Sequence, residues 1–110
     1  MTLRWREKRL SASSATVPDS PGVYAIGHRE MYYGLEVRRE YVYVGETNNL
    51  KRRLGEHLPE TEQNPKLQAH LRRNYETLIC WYAPTETDQT RRVQDELIRM
   101  IRPLFNTFGL

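Results

Sequence analysis

The sequence predicts an α+β domain, and three observations carry that prediction. Val23-Tyr24-Ala25-Ile26 and Tyr41-Val42-Tyr43-Val44 are short segments rich in β-branched and aromatic residues, as strands are. Leu78-Ile79-Cys80-Trp81-Tyr82 is an apolar run without polar alternation, the pattern of a strand buried on both faces. Elsewhere leucines recur at helical spacing. At 110 residues the chain is the size of one compact domain.

Residues 1–20 read as an arm ahead of a domain spanning 21–110. Arg4 to Leu10 is basic, Ser11 to Thr16 is small and polar, and Pro18-Asp19-Ser20-Pro21 is turn chemistry. Such an arm either pairs as an edge strand or stays mobile, and its composition favours a solvated arm. The first strand then opens at Gly22 and closes at Gly27. Residues 28–39, polar and carrying Gly34, read as a hairpin connection with some strand content, leading to the second strand. The alternation of Tyr41-Val42-Tyr43-Val44 puts both tyrosines on one face and both valines on the other. Consecutive strands joined this way pair antiparallel.

Thr47-Asn48-Asn49 supplies capping residues for a helix that runs to about Leu58, where Pro59 ends it. Leu50, Leu54 and Leu58 form its buried stripe. Arg53 and His57, four apart, stack beside that stripe, and Arg52 points away from it. Asn64-Pro65 starts a second helix running to Asn74, with Leu67 and Leu71 inward and His70, Arg72 and Arg73 at the surface. After the third strand, a helix from about Thr87 to Arg102 buries Val93, Leu97, Met100 and Ile101, and Pro103 stops it.

The net charge of +3 and a pI near 9.2 make the chain mildly basic, a weak pointer to nucleic acid. The single cysteine, Cys80, excludes an internal disulfide and a cysteine-based zinc site, and reads as a small core hydrophobe. No apolar signal segment follows the basic N-terminus, and no run approaches a membrane span. The expected location is the cytoplasm.

Tyr24, Tyr43, Arg53, His57, a group on the last helix and Asn106 form a candidate constellation. Cleaving a phosphodiester requires neutralising charge on the phosphate, positioning and deprotonating a water, and stabilising the leaving oxygen. An arginine fork holds two phosphate oxygens, tyrosine hydroxyls orient water, and a carboxylate holds Mg²⁺. Taken singly, these residues also read as a half-buried strand tyrosine, a solvated helix face and a packing histidine.

The order of the motifs resembles the GIY-YIG nuclease domain. Gly22-Val23-Tyr24 matches the first signature and Tyr43-Val44-Gly45 the second. The passage from Tyr43 to Leu54 and the closing Leu97-Ile98, Arg102-Pro103 and Asn106 match the rest, so the resemblance covers residues 21–107. It implies a small three-stranded antiparallel sheet flanked by about three helices. It also implies metal-dependent hydrolysis of one DNA strand per site, with one Mg²⁺ or Mn²⁺; RNA stays open as a substrate, as does the choice between monomer and homodimer. By the same resemblance Tyr24 and Tyr43 handle the water, Arg53 grips the phosphate, His57 assists proton transfer or positioning, and Asn106 braces the site. Lys51, Arg52 and Glu46 are candidate nucleic-acid contacts; Glu46 stands where the repair enzymes of the family carry lysine. The hairpin segment 28–39 is an insertion placed where DNA contact is feasible.

One departure concerns the metal. The family's glutamate lies three residues before the leucine of the Leu-Ile pair, and here that residue is Gln94. Gln94 falls within the arc of Leu97, Ile98 and Ile101, whereas Glu96 lies beyond its edge. An amide is a poor Mg²⁺ ligand beside a carboxylate. The chain is therefore a disabled nuclease, a relative that kept binding and lost cleavage, or a nuclease that uses Glu96 instead; the spacing to Pro103 and Asn106 favours Gln94 as the metal position.

Overall fold

The computed structural model describes residues 2–56 and 58–106. In chain order the elements are β1 (Arg6–Arg9), β2 (Gly22–Tyr32), β3 (Leu35–Thr47), α1 (Leu50–Gly55), α2 (Leu58–Thr61), α3 (Pro65–Asn74), β4 (Ile79–Pro84) and α4 (Thr90–Ile101). Among the described residues the sheet has four antiparallel strands in the order β1-β4-β2-β3, one more than the three expected. The extra strand comes from the arm. Arg6 to Arg9 pair with Tyr82 to Ile79 along the free edge of β4. Arg6, Glu7 and Arg9 are exposed, as suits an edge strand, whereas Lys8 is half-buried and donates to the carbonyls of Arg9, Leu10 and Ala12. Two residues of the arm, Leu10 and Val17, enter the core.

The segment expected as a hairpin connection with some strand content is a ribbon paired over nearly its whole length. β2 and β3 remain paired out to Tyr32 and Leu35, and the turn between them has positive φ at Tyr33 (53°) and Gly34 (84°). Two successive positive φ values define the turn whose twist matches that of paired strands. The ribbon carries two bulges, at Ile26/Gly27 and Glu30/Met31. The first overturns the expected alternation in β3. Tyr43 pairs with Ile26 but Tyr41 with Gly27, leaving Val42 as the extra residue. One inserted residue reverses the facing of everything beyond it. Tyr43 and Val42 therefore pack with the α1–α3 side, and Tyr41 and Val44 with the α4 side.

Four helices are present among the described residues. The first predicted helix is interrupted: Glu56 is extended (φ −73°, ψ 157°), and Leu58 begins a new turn. Pro59 lies in the first turn of α2 rather than after α1, where its missing N–H costs nothing. The leucine stripe survives the break, because Leu50, Leu54 and Leu58 are all buried. Asn49 caps α1 by accepting from Arg52 N, and Asn64 caps α3 by accepting from the N–H groups of Lys66 and Leu67. α4 starts at Thr90 without a side-chain cap and ends at Arg102 in the left-handed conformation. Met100, expected inside, is exposed: it falls outside the arc of Val93, Leu97, Ile98 and Ile101.

The sheet has helices on both faces. α1, α2 and α3 pack with Tyr24, Ile26, Val42, Cys80 and Tyr82, and α4 packs with Ala25, Val44, Ile79 and Trp81. β4 is buried on both faces, as its uninterrupted apolar run requires. His70 is not simply a surface residue, since its Nε2 lies 2.8 Å from that of His28 and ties α3 to β2. No helix of the described residues is long and apolar enough to cross a membrane.

Gly34 sets the ribbon's turn through its backbone alone, for an added Cβ there meets nothing within 4 Å. Gly34→Ala should therefore cost about 1–2 kcal/mol of local stability. The measurement is hydrogen exchange: amides of residues 29–39 should exchange at least about fivefold faster, with those of β4 unchanged.

Candidate active site

The site grows out of the register between β2 and β3. Tyr24 lies opposite Gly45. A Cβ on Gly45 would sit 2.6 Å from both the Cζ and the hydroxyl of Tyr24, so only glycine lets the phenol lie across the neighbouring strand. The glycine of the second signature thus makes room for the tyrosine of the first. Tyr43 follows on the same side, its ring centroid 6.3 Å from that of Tyr24.

Arg53 reaches this pair from α1, one position before the buried Leu54. Its guanidinium is engaged on all three nitrogens. Nε donates to the Tyr24 hydroxyl (3.3 Å), one terminal nitrogen to Glu56 Oε2 (3.1 Å) and the other to Glu62 Oε2 (3.3 Å). The Glu62 side chain is only 10% exposed, against 35% for Glu56. The other Glu62 oxygen accepts the Asn64 N–H at 3.0 Å.

Burial pushes the Tyr24 hydroxyl far above the ordinary tyrosine range, with Arg53 opposing. Tyr43 is raised by burial and by the Glu62 charge, against the pull of Arg53. Burial disfavours the Arg53 cation, but Tyr24 and Glu56 outweigh it and hold the charge more firmly than usual. Both phenols are consequently neutral near pH 7. They can orient water through hydrogen bonds, but they are not phenolate bases at rest.

Asn106 acts at the outer edge of β3. Its Oδ1 accepts the Val44 N–H and its Nδ2 donates to the Val44 carbonyl, both at 2.8 Å. The side-chain amide thus supplies the pair of bonds that a further strand would make. Phe105 N–H donates to the Val42 carbonyl (2.8 Å), and Asn64 Nδ2 donates to the Phe105 carbonyl (2.8 Å). The closing segment therefore clamps the strand on both sides of Tyr43.

The remaining expected residues are dispersed. Lys51 and Arg52 are exposed on α1, and Arg52 donates to Asn48 Oδ1. Glu46 pairs with Val23 in the strand register, which places it on the α4 side of the sheet. His57 lies outside the described residues. Gln94 is half-buried on α4, and its amide donates to Asp95. Glu96 is exposed, pairs with Arg92 at 3.2 Å, and borders a groove shared with Thr2, Leu3 and Trp5. Among the described residues no group of three or more His, Cys, Asp or Glu is placed to hold a metal ion.

Sequence reasoning missed Glu56 and Glu62. Glu56 stands three residues beyond Arg53, ordinary helix-pair spacing that gave it no distinction. Glu62 lies in a polar stretch that reads as a linker, and only the break at Glu56 folds it back against Arg53.

Helices on both faces of a small antiparallel sheet, with two signature tyrosines beside a helix-borne arginine, define the class of the GIY-YIG catalytic domains, whose family model matches residues 20–96. The chain belongs to the GIY-YIG family. Among its relatives are the UvrABC system proteins C of Flavobacterium psychrophilum, 31% identical over 97 residues, and of Hydrogenobaculum sp. (strain Y04AAS1), 29% identical over 89 residues. These alignments cover 88% and 81% of this chain but 14% of each relative, so the chain spans about one seventh of their length. The magnesium-bound GIY-YIG N-terminal endonuclease domain of UvrC from Thermotoga maritima has the same fold, with a TM-score of 0.62 at 18% identity, covering 91% of this chain and 98% of that one.

Because both phenols titrate above the usual tyrosine value of 10.0, the unfolded chain loses those protons first. Their contribution is full below about pH 10 and is lost as pH rises through the folded values. The buried Cys80 thiol, pushed up to about 12, adds a loss of the same sign. In a Cys80→Ala background, urea unfolding followed from about pH 8 to 11 should show a shallower alkaline loss for Tyr24→Phe/Tyr43→Phe than for the tyrosine-containing chain.

Proposed function

We propose that this chain is a GIY-YIG endonuclease domain that binds DNA and hydrolyses a phosphodiester with water, at a rate held down by Gln94. The observation that carries the reading is the convergence of Tyr24, Tyr43 and Arg53 on one face. In this reading the fixed cation of Arg53 binds non-bridging phosphate oxygens as a fork, and its charge strengthens against the trigonal-bipyramidal phosphorane. The two neutral phenols orient the attacking water by donating and accepting hydrogen bonds. Asn106 keeps β3, and with it Tyr43, in place. Lys51 and Arg52 meet the DNA backbone beyond the scissile phosphate, and His57 assists positioning or proton transfer.

The Thermotoga maritima domain is bound to magnesium. In this chain the position equivalent to the family's metal-binding glutamate is proposed to be Gln94. A single neutral carbonyl oxygen is a weak donor for a hard divalent cation. Glu96, the fallback, is exposed and paired with Arg92 beside the groove along the N-terminal arm, which supports it less well than Gln94. The residues present do not fit the ion, and no step is assigned to it. That same observation favours a second reading, a DNA-binding module of this fold without cleavage.

A plasmid-nicking assay separates the readings. Gln94→Glu should create or raise nicking that needs Mg²⁺ or Mn²⁺ and stops in EDTA. Equal nicking by both chains, lost in Glu96→Ala, would move the ligand to Glu96. Nicking by neither, with DNA binding that weakens as salt rises, would support the binding module. In the active background Arg53→Lys, which keeps a cation beside Glu62 but loses the fork, should lower nicking by about a hundredfold with the melting temperature nearly unchanged.

A further inference from the structure

The three partners of Arg53 come from three different segments. Tyr24 lies on β2, Glu56 in the bend after α1, and Glu62 in the link ahead of α3. One guanidinium faces two carboxylates, so the cluster carries an excess negative charge before any phosphate arrives. A phosphodiester adds another. A phosphate and both carboxylates cannot share Arg53 without strong repulsion, and one carboxylate has to give way.

The two are not equivalent. Glu56 is 35% exposed and sits in extended backbone between two short helices, so its charge rehydrates readily when it leaves. Glu62 is 10% exposed and anchored by the Asn64 N–H. Detached from Arg53 it would be a nearly buried charge without its cation, which is costly. Its seat is also structural, because Asn64 caps α3 and binds the Phe105 carbonyl next to Asn106. Glu62 thus links the guanidinium to the clamp that holds β3.

We propose that Glu62 is a positioning residue that fixes the Arg53 guanidinium beside the Tyr24 hydroxyl, and that Glu56 occupies the phosphate's place on Arg53 until DNA displaces it. This deepens the assignment of Arg53 as the phosphate-binding residue and rests on it. Glu62 touches neither water nor phosphate; it acts through Arg53. Its charge also adds to the burial that raises the Tyr43 phenol above the ordinary tyrosine range.

The test compares Glu56→Gln, Glu62→Gln and Glu62→Ala with the parent chain. The first readout needs no cleavage. The side-chain Nε–H resonance of Arg53 in a ¹H–¹⁵N spectrum should be sharp in the parent and in Glu62→Gln, which keeps an acceptor oxygen, and should broaden in Glu62→Ala. The second is binding of a short fluorescent duplex, which Glu56→Gln should tighten by about threefold by removing a competitor. The third is single-turnover nicking in whichever of the parent and Gln94→Glu cuts DNA. There Glu62→Ala should lose about tenfold or more in rate at saturating DNA, and Glu62→Gln should recover most of it.

A sharp Arg53 resonance in Glu62→Ala overturns the positioning role whether or not any chain nicks DNA. Unchanged or weaker DNA binding in Glu56→Gln overturns the displacement. A Glu62→Gln variant as slow as Glu62→Ala, with its melting temperature equally lowered, makes Glu62 a structural residue instead. Absence of nicking in every chain, Gln94→Glu included, defeats the cleavage reading alone, and the resonance and binding results then decide the inference.

Discussion

Tyr24 rests across Gly45, and the site depends on that contact. Two adjacent strands normally keep a tyrosine upright between the side chains of its neighbours. Here the missing Cβ lets the phenol lie over the next strand, within reach of the Arg53 Nε. The strand register that sets Tyr24 opposite Gly45 also sets Tyr43 opposite Ile26, so both phenols share the α1–α3 side. α1 delivers Arg53 to the same side because Leu50 and Leu54 anchor it in the core. The two signatures are best understood as halves of one steric arrangement.

Electrostatics then defines the resting state. Burial raises both tyrosines above the ordinary range and would weaken the arginine cation if Tyr24 and Glu56 did not compensate. Each guanidinium nitrogen has one partner, which leaves a second N–H on each terminal nitrogen for a phosphate oxygen. Bonds to three segments place the guanidinium beside Tyr24 before substrate arrives, which lowers the reorganisation needed for reaction. The cost of this arrangement is a local negative excess that an incoming phosphate has to relieve.

The opposite side of the sheet is held by α4, whose apolar arc covers Ala25, Val44, Ile79 and Trp81. On that helix Gln94 is half-buried, with its amide donating to Asp95, and Glu96 is exposed beside Arg92. Asn106 joins the two sides. It follows α4, yet its amide grips Val44, the residue after Tyr43. A change in α4 therefore reaches the tyrosine strand through the closing segment as well as through packing.

Much of this was legible in the sequence because it rests on local periodicity and on steric signals that single residues carry. The buried strand of Ile79 to Ala83, the leucine stripe of Leu50, Leu54 and Leu58, the Asn64-Pro65 start of α3 and the stop at Pro103 are all of that kind. What escaped depended on partners distant in the chain. The arm looked solvated because it is rich in charged and small polar residues, and only the free edge of β4 turns Arg6–Arg9 into a strand. The bulge at Val42 was invisible because alternation in one strand says nothing about the count of residues opposite, yet it sent Tyr41 to the far side of the sheet. Glu62 read as linker because its meaning lies in a contact with Arg53 that forms only when the chain bends at Glu56. The sequence by itself determined the fold class, the family and most of the helices and strands, and it singled out the two tyrosines and the arginine as candidates, since these follow from periodicity and short motifs. Tertiary structure alone decided which faces those residues share and which carboxylates they meet, because facing is set by cross-strand register and burial, and both exist only between segments.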